Sequence, residues 1–293
     1  MHFDLLDLEL FLHVAETGSI TAGAQRSNLA LASASARIKG LEDALSTPLL
    51  TRGRRGVSPT AAGLTLVRHA REVLLQVERL RAGIGESSKG LRGIVRLLCG
   101  NAALAGPLPE MLSAFLAGRP LVDISIEERP DRDIPTAITL GKADMGIVDA
   151  SADTGALETI PFHGYRLALV TARAHPLAAL ENPAIADALD HDFVGLADDA
   201  VLEALLADHA ARSGKTLKLR ARLENLEAVC RMVERNAGIA LMPASPARRC
   251  GKSLDIQIIG LTEACAARQL TLCLRKREEL PGCAMELLEY LKP

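Results

Sequence analysis

Cations are concentrated in one short segment within the first sixty residues. Arg52, Arg54 and Arg55 are interleaved with Gly53 and Gly56 in the run RGRRG. Guanidinium groups on a tight turn can lie along a phosphate backbone or enter a minor groove, so the chemistry they indicate is nucleic-acid binding. Arginine-rich runs also occur as solvated surface turns, and this segment alone leaves both interpretations open.

A second set of polar side chains precedes the basic turn and indicates the same chemistry. Ala34, Ile38, Leu41 and Leu45 follow the spacing of one apolar helix face. The opposite face carries hydroxyl groups and cations, which can enter a major groove about 12 Å wide and donate to base edges. That face contains Ser33, Ser35, Arg37 and Lys39.

Capping and spacing predict the elements that would position these side chains. Apolar residues between 5 and 15 predict a first helix, and Ser19 is placed to cap a second one. Leu49–Leu50 and Val57 then predict two short strands around the basic turn. Three helices followed by a basic hairpin predict a winged helix-turn-helix domain over residues 1–60.

The stretch from Phe3 to about Leu75 resembles the amino-terminal domain of the LysR-type transcriptional regulators. Four segments carry the resemblance in the family's order: GSITAGA, SASARIKGLE, PLLTRGRR and SPTAAG. The sequence departs from the family at the start of the recognition helix, where Ser-Gln-Pro is usual and Ala30-Leu31-Ala32 stands here. Loss of the capping hydroxyl costs about 1 kcal/mol unless Ser27 or Asn28 replaces it, and Leu31 offers only apolar contact. The predicted DNA-binding residues are Thr21, Leu31, Ser33, Ser35, Arg37, Lys39, Arg52, Arg54, Arg55 and Thr60.

The charge distribution agrees with a confined DNA-binding surface. Residues 1–92 contain 12 Lys and Arg against 9 Asp and Glu, whereas the whole chain contains 34 against 36. The chain is therefore not a uniformly basic nucleic-acid coat, because its cations lie where the motif places them.

The segment after the hairpin predicts a long linker helix from Thr60 to about Gly83 or Gly85. Its apolar residues recur with four-three-four-three-four spacing, which is the a/d seam of a coiled coil and indicates dimerisation with a second copy. Packing of the helix on its own domain is the alternative. The run from Gly85 to Gly93 predicts a hinge, so the linker and hinge are placed at residues 61–90. The seam residues are Leu66, Ala70, Val73, Val77, Leu80 and Ile84.

Strands and helices alternate after the hinge. Residues 94–148 follow a βαβαβ pattern, which is typical of a mostly parallel sheet, and a second α/β unit follows between residues 167 and 242. The runs GKADMGIVD, LALVTARAHPLA and AVCRMVERNAGIALMP resemble the effector domain of the LysR-type regulators. The resemblance implies an α/β effector domain with the two-lobed, periplasmic-binding-protein-like fold of type 2. The predicted domain spans residues 91–293, with lobe I at about 91–165 and 268–293 and lobe II at about 166–267.

The carboxyl ends of the predicted strands indicate where a ligand would bind. In open α/β sheets ligands occupy the crevice at these ends, where helix amino termini direct N–H groups into it. Helix capping is the alternative role for the aspartates in the set. Many relatives place Ser or Thr after the first strand, but Ala102 and Ala103 follow Asn101 here, which weakens the expectation of an organic acid. The predicted effector-binding residues are Asn101, Ala102, Ala103, Val148, Asp149, Leu196, Ala197, Asp198, Asp199, Asn225, Met242 and Pro243.

Other sequence signals argue against other classes of protein. Six cysteines show no CxxC pair and no histidine at metal spacing, which favours buried, reduced thiols; Cys250, after Arg248 and Arg249, is the one candidate redox thiol. The sequence has no Gly-rich phosphate loop, GxSxG or HExxH motif, so no enzymatic activity, cofactor or metal is expected. No apolar run approaches about 20 residues and the start lacks a signal-peptide layout, so a cytoplasmic protein without membrane contact is expected.

Together these observations predict a LysR-type transcriptional regulator. We expect it to bind double-stranded promoter DNA as a dimer or tetramer, under the control of a small-molecule effector in the carboxy-terminal cleft. RNA polymerase is a further candidate partner. The alternatives are a ligand-independent DNA-binding repressor, a thiol-based redox-sensing regulator, and a transport-type solute receptor, which would leave the first ninety residues unexplained.

Overall fold

The computed structural model describes residues 3–53, 56–89, 92–180, 183–197 and 199–292. The chain divides into two compact units. The first unit comprises Met1–Leu91 with Leu140–Lys142, and the second comprises Arg92–Thr139 with Ala143–Pro293. No helix in the described ranges is long and apolar enough to cross a membrane.

The first unit contains four helices and a two-stranded hairpin in its described part. These elements are α1 (Leu5–Thr17), α2 (Ile20–Arg26), α3 (Leu31–Leu45), β1 (Leu50–Gly53), β2 (Gly56–Pro59) and α4 (Ala61–Lys89). The two strands are antiparallel, with Arg52 opposite Val57 and Gly53 opposite Gly56. This order of elements confirms the predicted winged helix-turn-helix.

Side-chain caps fix the first two helices where the sequence places polar residues. Asp4 and Asp7 form a capping box at α1, in which each carboxylate accepts a hydrogen bond from the other residue's N–H at 2.9 Å. Gly18 ends α1 in the left-handed conformation, with φ of 65°, and the Ser19 side chain caps α2.

An apolar core joins the three helices to the hairpin. Phe11 of α1 and Leu41 of α3 are almost completely buried in one cluster with Leu49. Glu42 on α3 also holds β1, because its carboxylate accepts hydrogen bonds from the N–H groups of Leu49 at 2.7 Å and Leu50 at 3.1 Å. The position of the hairpin relative to α3 is therefore set by both packing and hydrogen bonds.

The linker helix is longer than the sequence predicts. The Thr60 hydroxyl caps it by accepting from the Gly63 N–H at 3.0 Å, and α4 then continues to Lys89. The expected break at Gly85 is wrong for residues 85–89, because extending an existing helix adds one hydrogen bond per residue without a nucleation cost. Residues 90 and 91 of the predicted hinge lie outside the described residues.

The second unit alternates strands and helices. Its strands are β3 (Gly93–Cys99), β4 (Val122–Glu128), β5 (Met145–Asp149), β6 (Glu158–Ala172), β7 (Asp192–Leu196), β8 (Lys218–Leu223), β9 (Ala240–Pro243), β10 (Ile256–Gly260) and β11 (Ala267–Leu274). Its α-helices are α5 (Asn101–Leu104), α6 (Leu108–Ala117), α7 (Ile134–Thr139), α8 (Ile185–Ala188), α9 (Ala200–Arg212), α10 (Leu226–Glu234), α11 (Ala244–Cys250) and α12 (Gly282–Leu291).

Seven of these strands form one mixed sheet. Their order is β10-β6-β11-β5-β3-β4, and β9 also pairs with β6. β3 lies parallel to β4 and β5, whereas β9, β10 and β11 are antiparallel to their neighbours. β7 and β8 form a separate parallel pair. The prediction of a mostly parallel sheet from residues 94–148 is therefore confirmed by β3, β4 and β5, and the strands that join them to lobe II pair antiparallel.

β6 is the long strand that joins the two lobes. It runs for 15 residues, pairing with β11 through its first part and with β9 and β10 through its second. The sequence predicts a strand only at Leu167–Thr171, which is the apolar part of β6. The earlier part was missed because Pro161 and Gly164 weaken its strand signal and its partner strand lies about a hundred residues later.

Candidate functional site

The outer face of α3 is the first candidate site. Ala34, Ile38 and Leu41 point into the core as the spacing predicts. Leu31 is 49% exposed, and Ser33 and Lys39 are exposed on the same helix. This helix therefore presents a small, polar surface to solvent, with Leu31 at its amino-terminal end. Of the other predicted DNA-binding residues, Thr21 is exposed, Ser35 is half-buried, and Thr60 caps α4.

Arg37 differs from its predicted place on this open face. Its Nη1 lies 2.7 Å from the Asp7 carboxylate and 3.2 Å from that of Asp4. The backbone hydrogen bond from Asp7 and the guanidinium of Arg37 lower the pKa of Asp4. Arg37 therefore joins α3 to the capping box of α1, because both aspartates of that box lie beside its guanidinium.

The start of α3 has no side-chain cap. Ala30 occupies the capping position with no side-chain hydrogen bond. The Ser27 hydroxyl lies 2.8 Å from Nδ1 of His13, and Asn28 adopts a φ of 53° at the end of α2. Neither residue replaces the missing cap, so the departure from the LysR pattern leaves the first N–H groups of α3 without a side-chain acceptor.

Only part of the predicted wing lies among the described residues. β1 and β2 pair in antiparallel register from Leu50 opposite Pro59 to Gly53 opposite Gly56. Arg54 and Arg55 lie outside the described residues, and so does the side chain of Arg52. Their contact with DNA stays a prediction.

Some of the predicted seam residues of α4 pack on α1, and others stay exposed. Ala70 is 1% exposed and packs with Leu8 and Leu12 of α1, and Leu66 packs against the same cluster. The prediction that Ala70 faces a second copy is wrong because α1 covers it, whereas the same role for the half-buried Leu66 stays a prediction. Farther along the helix Val73 is 43% exposed, Val77 is half-buried and Leu80 is 63% exposed. The side chain of Ile84 lies outside the described residues.

A cavity of about 860 Å³ in the second unit is the second candidate site. Its walls are formed where strands of both lobes end. Lobe I contributes the residues after β3, β4 and β5, and lobe II contributes those after β7, β8 and β9. The predicted residues that line it are Asn101, Ala102, Asp149, Leu196, Ala197, Asp199 and Pro243.

Four predicted effector residues do not line the cavity. Ala103, Val148 and Met242 are at most 1% exposed and belong to the core. Asn225 caps α10 by accepting from the Ala228 N–H at 2.8 Å. Asp198 lies outside the described residues. The errors at Val148 and Met242 share a cause, because their strand ends are correctly located but these side chains face the core, whereas Ala103 is the buried residue of α5.

Asp149 is the centre of a compact polar network. Its carboxylate accepts hydrogen bonds from Arg268 at 2.5 and 3.1 Å, Tyr165 at 2.7 Å and the Ser151 hydroxyl at 2.7 Å. Burial works to raise the pKa of Asp149, but the bonds from Arg268, Ser151 and Tyr165 hold it below its ordinary value. Burial and the nearby Asp149 charge raise the pKa of Tyr165. Asp149 is therefore an ionised, fully bonded anchor of the cleft wall.

Asp131 is the principal cleft residue that the sequence did not reveal. Its carboxylate accepts from the Asp149 N–H at 2.9 Å, and burial raises its pKa to about 6. Gly100 makes room for it, since a Cβ atom there would lie 1.8 Å from Oδ1 of Asp131. Burial also raises the pKa of Asp199, which caps α9 on the opposite wall. Gly100 before the predicted Asn101 was the one sequence signal for such a close approach.

Three of the six cysteines are poorly suited to thiol chemistry. Cys99, Cys230 and Cys273 are buried, and burial is the main reason that each thiol has its pKa raised to about 12. Thiols with such values carry little of the thiolate that reacts with peroxide at neutral pH. Cys250 is partly exposed and packs in the same cluster as Cys230. The described residues include no cluster of side chains suited to a metal ion.

Two family models match the chain. Residues 5–64 match the bacterial regulatory helix-turn-helix protein of the lysR family, and residues 88–293 match the LysR substrate binding domain. The second match alone covers well over half of the 293 residues.

Individual curated relatives share about a third or less of their aligned residues with this chain. The transcriptional regulator IlvY of Escherichia coli strain K12 is 33% identical over 158 residues, which are 54% of this chain and 51% of that protein. The chain therefore matches about half the length of this curated relative. The hydrogen peroxide-inducible genes activator of Pectobacterium carotovorum subsp. carotovorum is 26% identical over 82% of this chain and 80% of its own.

A solved structure extends the similarity of fold to the whole chain. Full-length CbnR complexed with its target DNA superposes with a TM-score of 0.69 at 19% identity, over 99% of both chains. The fold, the two family models and the motif order agree. The chain belongs to the LysR family of bacterial regulatory helix-turn-helix proteins.

Proposed function

We propose that this protein is a transcriptional regulator whose first unit binds double-stranded promoter DNA and whose second unit binds a small-molecule effector. The observation that carries the proposal is the open polar face of α3 beside the hairpin of a winged helix-turn-helix. The names of the relatives support it, since IlvY is a transcriptional regulator and CbnR was solved with target DNA.

In this proposal α3 enters the major groove and the hairpin follows the phosphates. Leu31, Ser33 and Lys39 are exposed and sit at the groove-facing side of α3. Thr21, Ser35, Thr60 and the three hairpin arginines complete the proposed surface. Arg37 is withdrawn from it, because its guanidinium is bound to Asp4 and Asp7.

The salt dependence of DNA binding tests this surface. Removing one cation that neutralises a phosphate should reduce the slope of log K against log[salt] by about 0.9, so changing both Arg52 and Arg54 to Ala should reduce it by about 1.8. Binding of the full chain to its own upstream DNA is measured by fluorescence anisotropy at several salt concentrations. Lys252→Ala is the matched control, because Lys252 is an exposed cation in the second unit. An unchanged slope in the double variant would remove the hairpin from the interface.

Self-association through α4 is the second part of the proposal. Val73 and Leu80 leave apolar surface on the helix that α1 does not cover. Burial of such a stripe against a second copy would stabilise a dimer. Further contacts between two dimers would then form a tetramer. RNA polymerase stays a predicted partner.

The cleft is the proposed switch. A molecule that bridges the residues after β3 and β4 and those after β7 binds a closed arrangement of the lobes more tightly than an open one. Ala102→Trp should obstruct the lobe I side of the cavity and abolish any effector response, while DNA binding without effector stays near wild type. A normal response in this variant would place the effector elsewhere. A ligand-independent repressor predicts that no small molecule alters DNA affinity at all.

A further inference from the structure

The charged side chains that line the cleft are mainly acidic. Glu128 and Asp131 lie on the lobe I wall, and Asp199 and Glu224 lie on the lobe II wall. None of the four forms an ion pair with a cation in the described part of the chain. Carboxylates on both walls therefore line the space that a ligand would fill, and Arg268, the cation whose charge acts on Asp131 and Asp199, is itself bound to Asp149.

The cations near the cleft are already engaged. Arg268 is bound to Asp149, and Arg129 pairs with Glu127 at 2.7 Å. Arg132 lies 3.9 Å from Asp133, and neither Glu127 nor Asp133 lines the cavity. A ligand carboxylate would therefore have to compete with Asp149 for Arg268 and with Glu127 for Arg129.

Two backbone donors at the cleft are also bonded within the protein. The amino terminus of α9 opens on the cavity, but the Asp199 carboxylate accepts from the Leu202 N–H there at 3.1 Å. On the other wall the Ala103 N–H, one of the expected anion-binding groups, donates to the Gly100 carbonyl at 3.2 Å. The N–H at the third position of each of these two helices is therefore already bonded within the protein.

Asn101 adds an acceptor without a partner. Its Nδ2 donates to Glu128 at 2.9 Å, which fixes the orientation of the amide. Its buried Oδ1 has no hydrogen-bond partner among the described residues. A buried acceptor left in this state is costly, and because the oxygen is hidden from the cavity, Asn101 contributes to the site through the Glu128 carboxylate that it orients.

We propose that the effector is a cation, an ammonium or amidinium compound, whose charged end lies among Asn101, Glu128 and Asp131 and near Asp199 on the facing wall. This inference rests on the proposed function, since it assigns a chemical class to the effector of the same cleft. Ala102, Leu196 and Pro243 also line the space, so the rest of the molecule is a short apolar group.

The proposal has a distinct pH dependence. Asp131 faces Asp149, Asp199 and the Arg268 guanidinium, and its pKa is raised to about 6. A cation binds the ionised form of Asp131, so its affinity should rise as the pH increases from 5 to 7.5. An anion would bind the protonated form better and show the opposite trend.

Three probes of similar shape and different charge test the inference. Isopentylamine, isovalerate and isopentanol are titrated into the full chain, and binding is followed by saturation-transfer NMR at pH 7.5 and pH 5. We expect isopentylamine to bind at least tenfold more tightly than isovalerate at pH 7.5, and to lose its NMR signal in Ala102→Trp. Asp131→Asn and Glu128→Gln should each weaken amine binding about tenfold, and Asp131→Asn should flatten the pH dependence. Asp208→Asn is the control, because Asp208 is an exposed acid on α9 that does not line the cavity.

The results that would overturn the cationic effector differ from those that would overturn the proposed function. Tighter binding of isovalerate, an absence of amine binding, or amine affinity unchanged in both Asp131→Asn and Glu128→Gln would overturn the cationic effector. Glu128 is exposed, so Glu128→Gln tests the charge without altering the core. Failure of the proposed function has a separate signature, which is failure of the unliganded full chain to bind its upstream DNA.

Discussion

Arg37 and Lys39 lie two residues apart on α3 and have different surroundings. Arg37 is bound to Asp7 at 2.7 Å and to Asp4 at 3.2 Å. Lys39 is exposed and forms no ion pair with the described residues. We therefore expect Arg37→Met to lower the free energy of unfolding of the first unit, and Lys39→Met to weaken DNA binding without affecting that stability.

The size of each effect follows from the contacts. Solvent screens the pair because one third of the Arg37 side chain is exposed, but the Asp7 side chain is only 11% exposed. Such a pair contributes about 1 kcal/mol, the upper end of the range for surface ion pairs. If Lys39 neutralises one phosphate, its removal should reduce the slope of log K against log[salt] by about 0.9 and leave the unfolding free energy within about 0.5 kcal/mol.

Urea unfolding and salt-dependent DNA titration of the same preparations separate the two roles. Lys252→Met serves as the control for loss of an exposed cation in the second unit. If Arg37→Met leaves stability unchanged and reduces the salt slope as Lys39→Met does, Arg37 contacts DNA. The assignment of its guanidinium to the α1 capping box would then be wrong.

Further variants test other parts of the structure. Ala30→Ser should stabilise the first unit by about 1 kcal/mol in urea unfolding, because α3 lacks a side-chain cap; no gain would mean that the position cannot form one. Changing Val73 and Leu80 together to Asp should shift the sedimentation of the full chain toward monomer, whereas Thr65→Asp, an exposed residue off the stripe, should not. Asp131→Asn should stabilise the second unit by about 2 kcal/mol at pH 7.5 and not at pH 3.8. The reason is that a carboxyl whose pKa is raised to about 6 in the folded chain contributes stability only at low pH, and this contribution is lost as the pH rises from 3.8 through 6. Equal effects of the substitution at both pH values would contradict that shift. Cys99, Cys230 and Cys273 should resist iodoacetamide in the native chain at pH 7.5, and rapid labelling of any of them, read by mass spectrometry, would revive a thiol-based switch.

Local signals predicted the elements of the first unit well. The apolar spacing of α3 and the cap at Ser19 depend on neighbouring residues, and the structure confirms both. The role of Arg37 could not be predicted from helix periodicity, because it depends on how α1 crosses α3. The same applies to Ala70, whose place in an a/d pattern does not show that α1 covers it before a second copy can.

The cleft was predicted at the level of strand ends but not of side chains. Asp149 and Pro243 line it, whereas the adjacent Val148 and Met242 face the core, because successive residues of a strand point to opposite sides. Arg268 reaches Asp149 across a separation of 119 residues through the pairing of β11 with β5 and β6. A partnership of that range leaves no pattern in a single sequence.

Binding of the full chain to its own upstream DNA is the most direct test of the central claim. The affinity for that fragment is compared with the affinity for an unrelated fragment of equal length at 150 mM salt. A winged helix-turn-helix that reads sequence with the open face of α3 should prefer its own DNA by at least about a thousandfold. Equal affinity for the two fragments, or no binding to either, would contradict the account of this protein as a sequence-specific regulator.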